Sequence, residues 1–264
     1  MINSPLFNFA FHTTGWLDKI RGFAKEEPWG ANNKVLEIYL KNNFEIAKSQ
    51  GKVFEDEEHG LAFWRAGYLV NSAADPIWLV YKPNRNPKNK WLFDKVQCGD
   101  CPVPGRARED FQVKYSPPEF NTNWPIHFDQ RNIDHIFNDH QIRLNEVFGP
   151  TMSGNKHLLF RLIFGEVELQ RKQEVAIPQW YHNDYCFLMP LFLTQGEKVE
   201  LTAALTPNEA LKRYELRTLL LPHYSYAHAR SVVKSRASFA GWMMLDTTVL
   251  SHPFVDSEAE GTDE

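Results

Sequence analysis

Five short runs rich in aromatic and β-branched residues, at 61–70, 76–81, 185–193, 199–205 and 214–221, constrain the fold more than any other feature of this chain. Turn formers, among them Gln195-Gly196 and Pro207-Asn208, separate them, so each reads as a strand. The first two are placed to pair with each other, and a meander is the simplest arrangement of the last three. Apolar residues recur at three- and four-residue spacing elsewhere. That period predicts helices at 16–24 and 35–47, the second through Leu36, Tyr39, Leu40, Phe44 and Ala47, with Pro28 and Gly30 between them. A buried helix is expected at 156–170 through Leu158, Leu159, Leu162, Ile163 and Leu169, and a last one at 224–233. The expected fold class is α+β, with a single antiparallel, or at most mixed, sheet covered by helices. Residues 1–250 are expected to form one globular domain and 251–264 an acidic flexible tail.

Between the two groups of strands, 82–125 holds seven prolines together with Lys82, Arg85, Lys88, Lys90, Lys95, Arg106, Arg108 and Lys114. It reads as a loop-rich, basic excursion, a surface that would attract an anionic partner. The chain as a whole carries 29 Lys and Arg against 33 Asp and Glu, a net charge of −4, so it lacks the basic excess of a non-specific nucleic-acid binder. Asp256, Glu258, Glu260, Asp263 and Glu264 lie in the acidic tail, and removing those five negatives from −4 leaves +1. Three Cys, an odd number, argue against a secreted disulfide framework and fit a reducing cytoplasm. Residues 1–10 lack the basic start and long apolar run of a signal peptide. The apolar run 186–193, which Pro190 interrupts, falls far short of the ~18 residues of a membrane span.

Residues 132–143 gather groups suited to phosphate or nucleotide chemistry: Asn132 to fix a base edge, His135 to carry a proton near neutral pH, and Arg143 to hold a phosphate by a two-point fork. On one helix these would fall near one face. The alternatives left open are a partly buried His135 and an ion pair of Arg143 with Glu146 or Asp139. In 178–182, Gln179 could read a base edge beside Trp180 and Tyr181, against a plain packing role. Tyr226 and Arg230, four apart, share a helical face, which makes Arg230 the second anion clamp and leaves His228 expected to be exposed. Cys98 and Cys101 have the spacing of half a zinc site, but only Cys186 remains, with His127 or His182 to complete it, so no metal or other cofactor is expected. Glu166 and Glu168 read as a solvated face. No phosphate-binding glycine loop, dinucleotide fingerprint or nucleophile elbow is present, so the motifs name no reaction.

Six pieces in order carry a family likeness: Trp16 and Trp29 in the helical pair; Ala62-Phe63 through Gly67-Tyr68-Leu69; Asn132, His135 and Arg143; 176–181; Leu188-Met189-Pro190-Leu191; and Arg217-Thr218 with Tyr226, Ala229 and Arg230. Together they resemble the bacterial family catalogued as domain of unknown function 3825 over nearly the whole chain. The family's usual Phe-Asn-Thr-Gly-Leu is replaced here by Trp64-Arg65-Ala66-Gly67-Tyr68. Members often accompany cold-shock, RNA-binding or helix-turn-helix modules, so the resemblance implies an RNA-related context with any such module on a partner protein. The expected function is an RNA-associated module that binds RNA or a nucleotide, with metal-independent phosphodiester chemistry in which His135 is acid or base and Asn132, Arg143, Gln179, Tyr226 and Arg230 hold the ligand. The alternative is a catalytically silent protein-interaction domain of a larger assembly.

Overall fold

The computed structural model describes residues 4–85, 88–139, 141–181, 184–194, 198–234 and 241–243, and the chain divides into two compact units, Met1–Tyr115 with Asp246–Glu264 and Ser116–Leu245. The acidic tail expected at 251–264 lies outside the described residues.

In the first unit, helix α1 (Pro5–Phe9) leads into β1 (Ala10–Phe11), followed by α2 (Trp16–Phe23), α3 (Lys34–Ser49), β2 (Phe54–Asp56), β3 (Leu61–Val70), β4 (Pro76–Pro83) and β5 (Trp91–Cys98). The sheet order is β1-β5-β4-β3-β2, with β1 parallel to β5 and the other neighbours antiparallel. Helix α3 starts from two left-handed residues, Asn32 and Asn33. Asn33 donates to Asp18 Oδ1 at 2.7 Å and accepts from Arg21 at 3.1 Å, which fastens α2 to the start of α3. The buried stripe of α3, including Leu36, Tyr39, Leu40 and Phe44, follows the helical period and packs on β3. Phe44 meets Trp64 with ring centroids 5.3 Å apart, and Trp64 Nε1 donates to the Tyr81 hydroxyl at 3.0 Å, so that large ring is buried with its donor satisfied. Phe63, Trp78 and Val80 point to the other face, where Phe111 and Cys101 cover them.

His12 sits among the rings of Phe7, Trp16, Tyr81 and Phe93, with centroids 4.2 to 5.9 Å away. Neither ring nitrogen has a hydrogen-bond partner among the described residues. Burial pushes its pKa down to about 4, against a weaker upward pull from the Ala10 backbone.

The second unit runs β6 (Ile126–His127), α4 (Gln130–Asn138), α5 (Gln141–Ser153, kinked at Gly149), α6 (Lys156–Arg171), β7 (Ile177–Tyr181), β8 (Asp184–Leu191), β9 (Leu201–Asn208), β10 (Arg213–Leu220) and α7 (Pro222–Arg230). Strands β7 to β10 form an antiparallel meander, and β6 adds parallel to β10. Asp129 caps α4 by accepting from Arg131 N at 2.9 Å, and Asn155 caps α6 by accepting from Leu158 N at 3.2 Å. One face of the sheet, with Phe187, Met189, Leu201 and Leu205, packs on Ile136, Leu144, Leu159 and Ile163 from α4, α5 and α6. Each such side chain contributes roughly 1.5–3 kcal/mol. Pro190 is tolerated in β8 because β7 begins opposite Leu188, so the proline lies where β8 has no strand neighbour on that side among the described residues.

Two five-stranded mixed sheets therefore replace the single antiparallel sheet expected from the sequence. Period and composition mark a strand but not its neighbour. Strand β5, inside the stretch read as loop, takes the open side of β4, and the two-residue β1 closes on it; β6 does the same for β10. Trp91 and Phe93 are buried and alternate with Leu92 and Asp94, a signal too short to stand out among the surrounding prolines.

Candidate functional site

The register of the meander sets Gln179 opposite Cys186, Thr202 opposite Pro190, and Thr218 opposite Ala204. Side chains alternate along a strand, so Gln179, Cys186, Thr202, Thr206 and Thr218 share the face turned away from α4, α5 and α6. Helix α7 packs on β7 and β9, and its His228 meets the Tyr181 ring edge-on at 5.7 Å, which places α7 over that face. Pro222 starts the helix, where its missing N–H costs nothing. Every residue from His223 to Arg230 is buried, yet they include two His, two Tyr, one Ser and one Arg. A helix hidden on all sides is ordinarily apolar. This one is not.

The layer beneath it is polar as well. Gln179 is 2% exposed and Thr202 0%, and neither Gln179 Oε1 nor Thr202 Oγ1 has a hydrogen-bond partner among the described residues; Thr218 Oγ1 is in the same position. Leaving such an oxygen unsatisfied costs roughly 1–3 kcal/mol, a cost that a bound ligand or ordered water offsets. Cys186 lies 3.7 Å from Thr206 Oγ1, and burial pushes its thiol pKa up. Burial therefore disfavours the thiolate that a nucleophilic cysteine needs.

Of the residues singled out in the sequence, Gln179 is buried on β7 in this layer, and Tyr226 and Arg230 are buried on α7 itself. Arg230 is 1% exposed and donates to the Val233 carbonyl at 3.0 Å. Arg143 reaches the margin of the same layer. Its Nη1 donates to the Leu219 carbonyl at 2.8 Å and its guanidinium lies 5.4 Å from the Tyr224 ring centre, so it clamps the end of β10 to α7. Asn132 is a tie of another kind, donating to the Leu216 carbonyl at 2.8 Å where β10 is bulged between Leu216 and Thr218. His135 lies outside the layer. It is on the solvent side of α4, with Nδ1 2.8 Å from Asp139 Oδ2. The 132–143 run is not one helix, because α4 ends at Asn138 and Arg143 belongs to α5; His140 and His182 lie outside the described residues.

His228, expected to be exposed, is buried, because α7 is covered on both sides and not only on the Tyr226–Arg230 face. Thr202 and Thr206 were not singled out by sequence reasoning, and Thr218 entered only as part of the family likeness. Their signal was the alternation Leu201-Thr202-Ala203-Ala204-Leu205-Thr206, which puts small and polar residues on one face of an otherwise apolar strand. Among the described residues no three His, Cys, Asp or Glu side chains gather as a metal-ligand set, and no helix is long and apolar enough to cross a membrane.

The family model described as domain of unknown function DUF3825 matches residues 20–238. The chain belongs to that family. No curated protein and no solved structure matches it. The DUF3825 match spans β2 to β10 and α3 to α7, so the polar layer beneath α7 lies inside the region that defines the family.

Proposed function

We propose that the second unit binds a nucleotide, free or at the end of an RNA, in the layer between α7 and the meander. The observation that carries this reading is the pair of buried side-chain oxygens, Gln179 Oε1 and Thr202 Oγ1, that meet no donor among the described residues on the face α7 covers. A planar amide and neighbouring hydroxyls suit the edge of a base, the Tyr226 and His228 rings offer stacking, and Arg230 supplies a cation for phosphate. No proton transfer is assigned to His135, which faces solvent on α4. The cytoplasm is the setting this reading assumes, with any further RNA-binding module supplied by a partner protein.

Thr202→Val tests it, because the change keeps the shape and removes the hydroxyl. With no ligand, loss of an unsatisfied buried hydroxyl should stabilise the unit by about 1 kcal/mol, a rise in melting temperature of about 4 °C. The same variant, and Gln179→Leu, should lose tenfold or more in affinity for nucleoside mono- and diphosphates measured by calorimetry. Failure of every nucleotide and short RNA to shift the melting of the parent protein at millimolar concentration sinks the reading. A specific observation favours a protein-interaction role in that event: Ile142 on α5 and Leu158, Phe164 and Leu169 on α6 are 43–60% exposed.

A further inference from the structure

A polar network in the first unit joins α3, the bulge of β3 and the chain at Tyr115. Strand β3 is bulged between Arg65 and Val70, and the Tyr39 hydroxyl spans the bulge by donating to the Ala66 carbonyl at 3.0 Å and accepting from Tyr68 N at 2.8 Å. Asn43, wholly buried in the middle of α3, donates to the Tyr39 carbonyl at 2.9 Å and accepts from the Tyr115 hydroxyl. Gln50 fixes the chain next to Tyr115, with Nε2 donating to the Lys114 carbonyl at 2.8 Å and Oε1 accepting from Lys114 N at 2.9 Å.

The result of all these bonds is the placement of two partly exposed rings. Tyr68 and Tyr115 stack with centroids 4.3 Å apart and planes 29° from parallel. Arg65 is half-buried close to Tyr115; its Nη1 donates to Gln112 Oε1 at 3.3 Å, and its Nε–H has no partner among the described residues. Arg108 is held by Asp100, and Lys114 adjoins Tyr115 in the chain. Holding exposed groups by buried hydrogen bonds is what a binding surface needs and what a core does not.

We propose that Tyr68, Tyr115 and Arg65 form a platform for an unpaired base of single-stranded nucleic acid, with ring stacking from the tyrosines and the guanidinium directed to the adjoining phosphate. Aromatic faces accept any base, and an Arg beside them supplies both charge and a planar fork. The platform stands apart from the nucleotide reading of the α7 layer and rests on different residues.

The test uses the full chain with fluorescein-labelled ten-nucleotide oligo-A and oligo-U, as RNA and as DNA, followed by anisotropy at low and high salt and by ultraviolet crosslinking with peptide mapping. Tyr68→Leu and Arg65→Asn should each weaken binding roughly 5- to 100-fold, Tyr115→Phe should weaken it less, and crosslinks should fall on Tyr68 or Tyr115. Binding of either oligomer there supports the platform, and the preferred one identifies the sugar. Parent-like affinity in both variants, with parent-like melting, overturns it. So do crosslinks confined to 116–245, a result that leaves the α7 reading standing. Retention of a proline-rich peptide on the same rings without competition by either oligomer also overturns it. Mapping on the parent protein needs no variant, so a substitution that misfolds does not rescue the idea.

Discussion

Gly67→Ala should destabilise the first unit by about 3 kcal/mol in chemical denaturation. Gly67 has φ +55°, a left-handed conformation that costs an alanine about 1 kcal/mol. A Cβ there would stand 2.7 Å from the Tyr115 hydroxyl and nearer still to Asn43 Oδ1, and forced crowding of a packed site adds ~1–3 kcal/mol. Gly99→Ala provides the control. Gly99 also has positive φ, at +85°, but nothing lies within 4 Å of its added Cβ. Only the conformational part, about 1 kcal/mol, should then be lost. Equal losses in the two variants would show that Asn43 and Tyr115 move aside freely, and that the network beneath the Tyr68–Tyr115 stack is soft.

The second large effect is acid sensitivity centred on His12. Its folded pKa, about 4, lies below the ordinary histidine value of 6.5, so the folded state binds this proton more weakly than the unfolded chain does. Stability from this group is complete above pH 6.5 and is lost as pH falls towards 4, in total about 3 kcal/mol. The rings of Phe7, Trp16 and Phe93 carry no charge, and Tyr81, whose hydroxyl is pushed further above its usual pKa by burial, stays neutral over the same range. Carboxylates with lowered pKa, among them Glu55 and Glu215, act at more acidic pH. Urea midpoints measured from pH 8 to pH 4 should therefore fall steeply for the parent below 6.5 and stay nearly level for His12→Phe. Parallel profiles for the two proteins would refute the assignment.

Helices α3 and α6 were legible because their apolar positions repeat for four turns, although α6 buries Leu159, Ile163 and Val167 and leaves Leu158 and Leu169 exposed, and β3, β4 and the β8–β10 meander were legible because aromatic and β-branched residues cluster between turn formers. Strand β1 could not be read: two residues have no period, and their place beside β5 depends on a partner some 80 residues later. The site was legible in its chemistry more than in its roles. Gln179, Tyr226 and Arg230 drew notice as polar groups in apolar segments, and all three are buried, Gln179 on β7 and the other two on α7. Nothing local revealed that Arg143 would clamp the Leu219 carbonyl or that Asn132 would satisfy the Leu216 carbonyl, because both acceptors lie 76 and 84 residues away along the chain. The unpartnered oxygens of Thr202 and Thr218 were invisible for the same reason, since a threonine in a strand is ordinary until its neighbours are known.

Strand addition, the route by which peptides and aggregating chains extend a sheet, is poorly served by this molecule. Among the described residues, three of the four outermost strands, β1, β2 and β6, are two or three residues long, and the fourth, β7, has five residues with Pro178 among them. Such stubs offer too few backbone donors and acceptors in a row to template an incoming chain, and the proline withholds one more. The described edges thereby disfavour polymerisation through the backbone and favour recognition by side chains.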